Sequence, residues 1–124
     1  MVLHRPFETA RQTGRVEYST GAMGYDFRIT RRNEWSATGK DITVAEWLAY
    51  LDGDPELSLW PENGPYMARW SGKSEGSDPW LDWFKGNVYT KNPEVALIDK
   101  MIHIAYALDA KVQGDDGETY QLKP

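Results

Sequence analysis

The sequence predicts an α+β fold. The expected form is a single domain on a mainly antiparallel, twisted sheet, with a long helix over residues 93–108, a short helix over residues 44–51 packed beside it, and a closing β-hairpin over residues 111–121. Three observations predict this. Apolar residues recur at helical spacing in the two helical stretches. Around them, short segments alternate apolar and polar residues and are bounded by Gly, Pro, Asn and Asp. The elements do not follow the regular strand–helix–strand rhythm of a parallel sheet.

In chain order, residues 1–22 hold no sustained period and are rich in Arg, Thr and Gly, so they are expected to be a poorly ordered extension, with a short strand at residues 15–18 as the alternative. Met23 precedes the first clear strand and is a candidate natural start, which leaves residues 23–124 as the folded domain. Residues 25–30 alternate, with Tyr25, Phe27 and Ile29 on one side and Asp26, Arg28 and Thr30 on the other. Thr43 and Glu46 form a capping box, and Val44, Trp47, Leu48 and Leu51 follow at helical spacing. The Asp52-Gly53-Asp54-Pro55 run ends that helix, with Gly53 available for a left-handed cap.

Residues 56–60 and 66–70 are expected to pair as a hairpin across Pro61–Pro65, and a polar loop over residues 71–79 follows. Residues 80–84 and 87–90 are two further strands joined at Lys85-Gly86. Asn92 then reads as an N-cap and Pro93 as the first helical residue. Leu97, Met101, Ile104, Ala105 and Leu108 make one apolar stripe, widened by Ile98 and Ile102. Burying the larger of these side chains contributes about 1.5–3 kcal/mol each by area, which makes this helix the expected anchor of the core. Gly114-Asp115-Asp116-Gly117 is the turn of the final hairpin.

A chain of 124 residues is long enough for one substantial core. No apolar run approaches the roughly 20 residues a bilayer demands, and no secretory signal stands at the start, so no membrane partner is expected. The chain has no cysteine, which removes thiol chemistry and fits a cytoplasmic location. The net charge of −5 is uneven: residues 1–32 carry six Arg and three acids, and the remainder carries eight basic and sixteen acidic residues. An acidic body repels nucleic acid, and the Arg31-Arg32 pair is too small a patch to reverse that.

No catalytic constellation is evident, and the chain is expected not to be an enzyme. With two histidines at unrelated positions, His4 and His103, a zinc site has no spacing to rest on, and His103 reads as a boundary residue of its helix. The acidic turns at Asp52, Asp54 and Glu56 and at Asp115, Asp116 and Glu118 lack the calcium-loop pattern. Acids favour turns through their own backbone hydrogen bonds, so no metal is assigned. There is no serine elbow and no phosphate-binding loop, and no cofactor is expected.

The pieces Ala45-Glu46-Trp47-Leu48, Asp54-Pro55-Glu56-Leu57, Lys91-Asn92-Pro93 and the ending through Val112–Tyr120 resemble a group of small, uncharacterised bacterial proteins, over roughly residues 23–120. Those motifs carry no catalytic residues. In general character the group is similar to immunity proteins, which neutralise bacterial toxins. The resemblance implies a protein partner, such as a basic toxin domain, met by an acidic surface with Trp anchors. The expected contact residues are Asp52, Asp54, Glu56, Asp115, Asp116 and Glu118 with Trp60, Trp70, Trp80 and Trp83. The alternative is a small-ligand or carbohydrate binder that uses the Trp cluster. Oligomeric state is left open.

Overall fold

The computed structural model describes residues 24–72 and 78–121. The extension over residues 1–22, its alternative strand at 15–18, and the middle of the 71–79 loop lie outside the described residues. The elements run β1 (Asp26–Thr30), α1 (Val44–Asp52), β2 (Leu57–Leu59), a 3-10 turn (Pro61–Asn63), β3 (Ala68–Trp70), β4 (Trp80–Phe84), β5 (Asn87–Lys91), α2 (Val95–Ala107), β6 (Lys111–Gly114) and β7 (Thr119–Tyr120). This is the expected α+β architecture.

The strands form one seven-stranded sheet in the order β2-β3-β4-β5-β1-β6-β7. Every neighbouring pair is antiparallel. Three hairpins, β2–β3, β4–β5 and β6–β7, follow directly from the turn signals. The first strand does something the local pattern does not announce. It inserts between β5 and β6, setting Ile29 opposite both Val88 and Val112.

One face of the sheet is covered. Phe27, Ile29, Leu81, Val88 and Val112 point into it and are at most 1% exposed. Helix α2 closes this face with Leu97, Ile98, Met101, Ile102, Ile104 and Ala105, all buried. Helix α1 adds Trp47 and Leu51 to the same core. Trp47 is wholly buried, and its indole N–H donates to the Tyr66 carbonyl at 2.9 Å, so its one polar atom is satisfied. The α1 capping box forms as expected: the Glu46 N–H donates to Thr43 Oγ1 at 3.0 Å, and the Thr43 N–H donates to Glu46 Oε1 at 2.9 Å.

Four local expectations are corrected. Helix α2 begins at Val95 rather than Pro93, with Glu94 as its cap. Asn92 has φ +47, a left-handed conformation that an N-cap does not adopt, and it spends its polar groups elsewhere. Its N–H donates to the Tyr25 carbonyl at 2.8 Å and its Oδ1 accepts from the Tyr25 N–H at 2.9 Å, extending the β1–β5 pairing by one rung. Gly53 caps α1 with φ −97, so no left-handed cap forms there. The third strand starts at Ala68, two residues later than expected.

The fourth correction concerns the loop after β1. Arg31 and Arg32 are internal braces rather than a surface patch. Arg31 grips Glu46 through two hydrogen bonds of 2.9 and 3.0 Å and donates to the Leu108 carbonyl. Arg32, 7% exposed, donates to the carbonyls of Trp35, Gly39 and Lys85 and to Asp41. These bonds fold residues 31–42 back against the β4–β5 turn. Gly86 in that turn has φ +89, and a Cβ there would strike the Arg32 guanidinium, so the position requires glycine.

Candidate functional site

Because side chains alternate along a strand, the residues between the core positions all emerge on the other face of the sheet. No helix of the described residues packs on that face. From β3 across to β6, the register sets Arg69 beside Trp80, Asp82 beside Tyr89, Tyr89 beside Arg28, and Arg28 beside Gln113. The face is therefore a band of aromatic rings, arginines and single acids.

The rings are held by one another. Trp80 and Phe84 both meet Tyr89 edge-to-face, with centroids 5.5 and 6.4 Å apart. The guanidinium of Arg69 lies 4.1 Å over Trp60, and that of Arg28 lies 3.4 Å over Trp35. Such contacts keep amphipathic side chains in place while their polar edges face water. Phe84 is 58% exposed, which is unusual for a large apolar ring on a sheet face.

Two groups on this face carry perturbed acidities. Burial pushes the Asp82 carboxyl above its ordinary value, with a partial offset from the Trp83 backbone N–H. Asp82 has no ion-pair partner among the described residues. Burial also raises the Tyr89 hydroxyl, and the adjacent Asp82 charge adds to the effect.

At one end of the band, Trp35 of the folded-back 31–42 loop forms one wall of an open cavity of about 340 Å³, lined also by Asp26, Arg28, Phe84, Lys85, Asn87 and Tyr89. Arg28 is pinned inside it, 2.7 Å from Asp115 and 3.4 Å from Asp26. Asn87 is 6% exposed; its Nδ2 donates to the Trp35 carbonyl at 3.1 Å, and its Oδ1, closed off from solvent, has no hydrogen-bond partner among the described residues.

The residues expected from sequence to form one contact surface are dispersed. Trp60 and Trp80 lie on the open face. Trp70 is 9% exposed on the helix side, with its indole N–H donating to Glu56 at 3.0 Å, and Trp83 faces the core, donating to the Ile42 carbonyl at 2.7 Å. The two acidic turns lie at opposite edges of the sheet, one leading into β2 and the other joining β6 to β7.

Most of those acids have internal work. Lys100 of α2 bridges Asp54 at 2.9 Å and Glu56 at 2.8 Å. Burial alone would raise Asp54, but the hydrogen bonds from Lys100 and Tyr50 overcome it and hold the carboxyl below its ordinary value. Glu118 accepts from the Tyr25 hydroxyl at 2.5 Å, Asp115 pairs with Arg28, and the Asp116 N–H donates to the Tyr25 oxygen at 3.3 Å. Asp52 is exposed at the end of α1.

Sequence reasoning missed Arg28, Trp35, Asp82, Asn87 and Tyr89. For Arg28 the signal was the alternation of residues 25–30, which set it opposite Phe27 and Ile29; Asp82 and Tyr89 lay in stretches expected only to be strands, where the same alternation would have placed them. Trp35 and Asn87 had no such signal, because a loop placed by Arg32 brings them together.

Among the described residues, no three His, Asp or Glu side chains gather as a metal site, and no helix is long and apolar enough to cross a membrane. His103 is exposed on α2, its Nδ1 3.0 Å from the Asp99 carbonyl. No protein-family model, no curated protein and no solved structure matches the chain.

Proposed function

We propose that this chain is a non-enzymatic protein-binding module that docks through the open face of its sheet. The observation that carries the reading is the enrichment of that one face in Trp, Tyr, Phe and Arg, fixed in place by ring–ring and cation–π contacts. These residue types dominate binding energy at protein interfaces, because they bury much area and keep a polar edge for the rim. Asp82 gives the face its charge preference: a partly desolvated carboxylate with no ion-pair partner among the described residues is best met by a partner's Lys or Arg.

The specific form we propose is a bacterial immunity protein, acting in the cytoplasm on a basic toxin domain. The net charge of −5 favours encounter with such a partner. The dispersal of the acidic turns moves the expected contact from those turns to Trp60, Trp80, Asp82 and Tyr89. Of the exposed turn residues, Glu56 and Asp115 are held in ion pairs with Lys100 and Arg28, which leaves Asp52 and Asp116 as candidates for the rim.

The test is co-expression of the full chain with the toxin candidate encoded beside its gene. The native chain is expected to rescue growth, and Trp80→Ala combined with Asp82→Ala is expected to abolish rescue while leaving the fold intact by circular dichroism. Rescue that survives both substitutions removes the open face from the interface. A small-ligand or carbohydrate binder is the second reading, and the cavity beneath Trp35 is the observation in its favour.

A further inference from the structure

The sheet ends at β2, and among the described residues no strand pairs beyond it. The ladder to β3 runs further than the strand itself. The Ser71 N–H donates to the Glu56 carbonyl at 2.9 Å, and the Trp60 N–H donates to the Met67 carbonyl at 2.8 Å. Antiparallel strands alternate bonded and non-bonded pairs, so Ser58, opposite Arg69, also turns its backbone toward β3. Leu57 and Leu59 then turn theirs outward. The Leu57 N–H is used in the preceding turn, donating to the Asp54 carbonyl at 3.0 Å. The Leu57 carbonyl and both backbone polar groups of Leu59 have no partner among the described residues.

Unpaired N–H and C=O groups at an edge recruit another strand, and native sheets ordinarily blunt such an edge with a lysine, a proline or a bulge. Leu57-Ser58-Leu59 contains neither residue, and its register to β3 runs without a bulge. The opposite edge strand, β7, offers only two residues. Leu57 and Leu59 share a face of the sheet, yet Leu57 is 5% exposed and Leu59, nearer the end of the strand, is 47% exposed.

The charge around this edge says what can occupy it. Residues 41–68 hold six acids and no Lys or Arg. Asp41, Glu46, Asp54 and Glu56 are met by cations from other segments, Arg32, Arg31 and Lys100. The two left over are Asp52, at the end of α1, and Glu62, in the 3-10 turn. Both are exposed, and they flank β2 in the chain. A second copy pairing here would set acids against acids, whereas a strand bearing Lys or Arg is attracted.

We propose that the β2 edge receives an extended, basic segment of a partner protein as an additional strand, hydrogen-bonded to Leu59 and to the Leu57 carbonyl. An apolar side chain of that segment covers Leu59, and its cations meet Asp52 and Glu62. Strand addition takes its affinity from the main chain and its selectivity from alternate side chains. The inference goes beyond docking through the open face, because the contact is made by backbone at the margin of the sheet rather than by rings on its surface.

The probe is the end-blocked peptide Lys-Val-Lys-Val-Lys-Val-Lys, titrated into the full chain by calorimetry and by NMR. Its controls are the same peptide N-methylated throughout and the same peptide with Glu in place of Lys. The expected result is saturable binding of the Lys peptide with slowed hydrogen exchange of the Leu59 N–H. N-methylation, which removes the peptide's donors, should weaken binding by roughly ten-fold or more. The Glu peptide should not bind.

Leu59→Pro deletes the outward N–H and spares the ladder to β3, which does not use it. It is expected to abolish binding with the sheet retained by circular dichroism. Should that variant fail to fold, the N-methylated peptide on the native chain still decides. Asp52→Lys combined with Glu62→Lys should weaken the Lys peptide several-fold. No binding of the Lys peptide overturns the proposal, as does equal binding of its N-methylated form or binding that leaves Leu59 exchange unchanged. A Leu59 N–H already protected in the chain alone, with a two-copy mass by sedimentation, makes a second copy the occupant and overturns it as well. Growth rescue with Trp80→Ala and Asp82→Ala reads the open face alone, so failure of the edge and failure of the face are told apart.

Discussion

The two faces of this sheet are made by the same strands and obey opposite rules. On the helix side, β1 contributes Phe27 and Ile29, and the latter is fully buried. One residue over on the same strand, Arg28 emerges on the other side to stack on Trp35. The covered face mixes aliphatic side chains with buried rings such as Phe27, Trp47 and Trp70, and it is closed. The open face is aromatic, carries arginines, and is only half withdrawn from water. The helix side needs nothing further, because α1 and α2 supply the apolar area that its strands must meet. The open side holds large rings in fixed positions, and no helix of the described residues lies over them, which is the condition of a surface prepared for a partner.

The sharpest way to test this contrast is to remove one Trp from each side. Trp47→Ala empties a fully buried site and should cost about 3–5 kcal/mol of unfolding free energy, read as a lowered urea midpoint. Trp80→Ala should cost about 1 kcal/mol of stability, because it removes one edge-to-face contact and some half-buried area. It should cost about 2 kcal/mol in partner binding, roughly thirty-fold in Kd by titration calorimetry. Equal destabilisation by the two substitutions would mean that the open face is a second core.

Lys100→Met addresses the acids that fold the protein rather than serve its surface. It leaves Asp54, which is 8% exposed, without its cation. The expected loss is about 2–3 kcal/mol by denaturant titration, because an uncompensated buried charge costs more than the pair contributes. Partner affinity of the surviving folded fraction should be unchanged.

Asp82 gives a smaller effect with a definite sign. Its folded-state pKa lies above the unfolded value, so the native chain binds the extra proton between the two. Stability should therefore fall as pH rises through that window, and Asp82→Asn should flatten the profile in urea titrations across acidic pH. Binding of a basic partner should show the opposite trend and strengthen as Asp82 ionises. The smallest effect belongs to Glu46. Its hydrogen bond from Arg31, aided by the Thr43 N–H, holds the carboxyl down to about 2 from 4.5. That contribution is present above 4.5 and is lost as pH falls toward 2, and Glu46→Gln should remove this part of the acid-unfolding curve.

Much of the architecture was legible because it is local. The Thr43–Glu46 capping box, the apolar period of α2 and the three hairpin turns are each written in a few neighbouring residues, and each formed. The misreadings share one cause. Asn92 has the composition of an N-cap, yet pairing with Tyr25 across the sheet claimed its amide. Arg31 and Arg32 look like surface charge in a polar segment, yet backbone carbonyls from distant elements claimed their guanidinium groups. Hydrogen-bond demand is satisfied by whichever partner the fold brings near, and composition does not identify that partner.

By itself, then, the sequence determined which residues of each strand share a face, which apolar stripe each helix buries, and that no serine elbow or metal-ligand spacing is written in the chain. Tertiary structure alone decided that β1 lies between β5 and β6, that the two acidic turns stand at opposite edges, and that Trp35 is folded over Asn87 and Tyr89 to make a cavity. The physical reason is range. Side-chain alternation and helical period act over a few residues, whereas strand order and the bracing of a loop by Arg32 depend on contacts between segments about fifty or more residues apart, which no local pattern encodes.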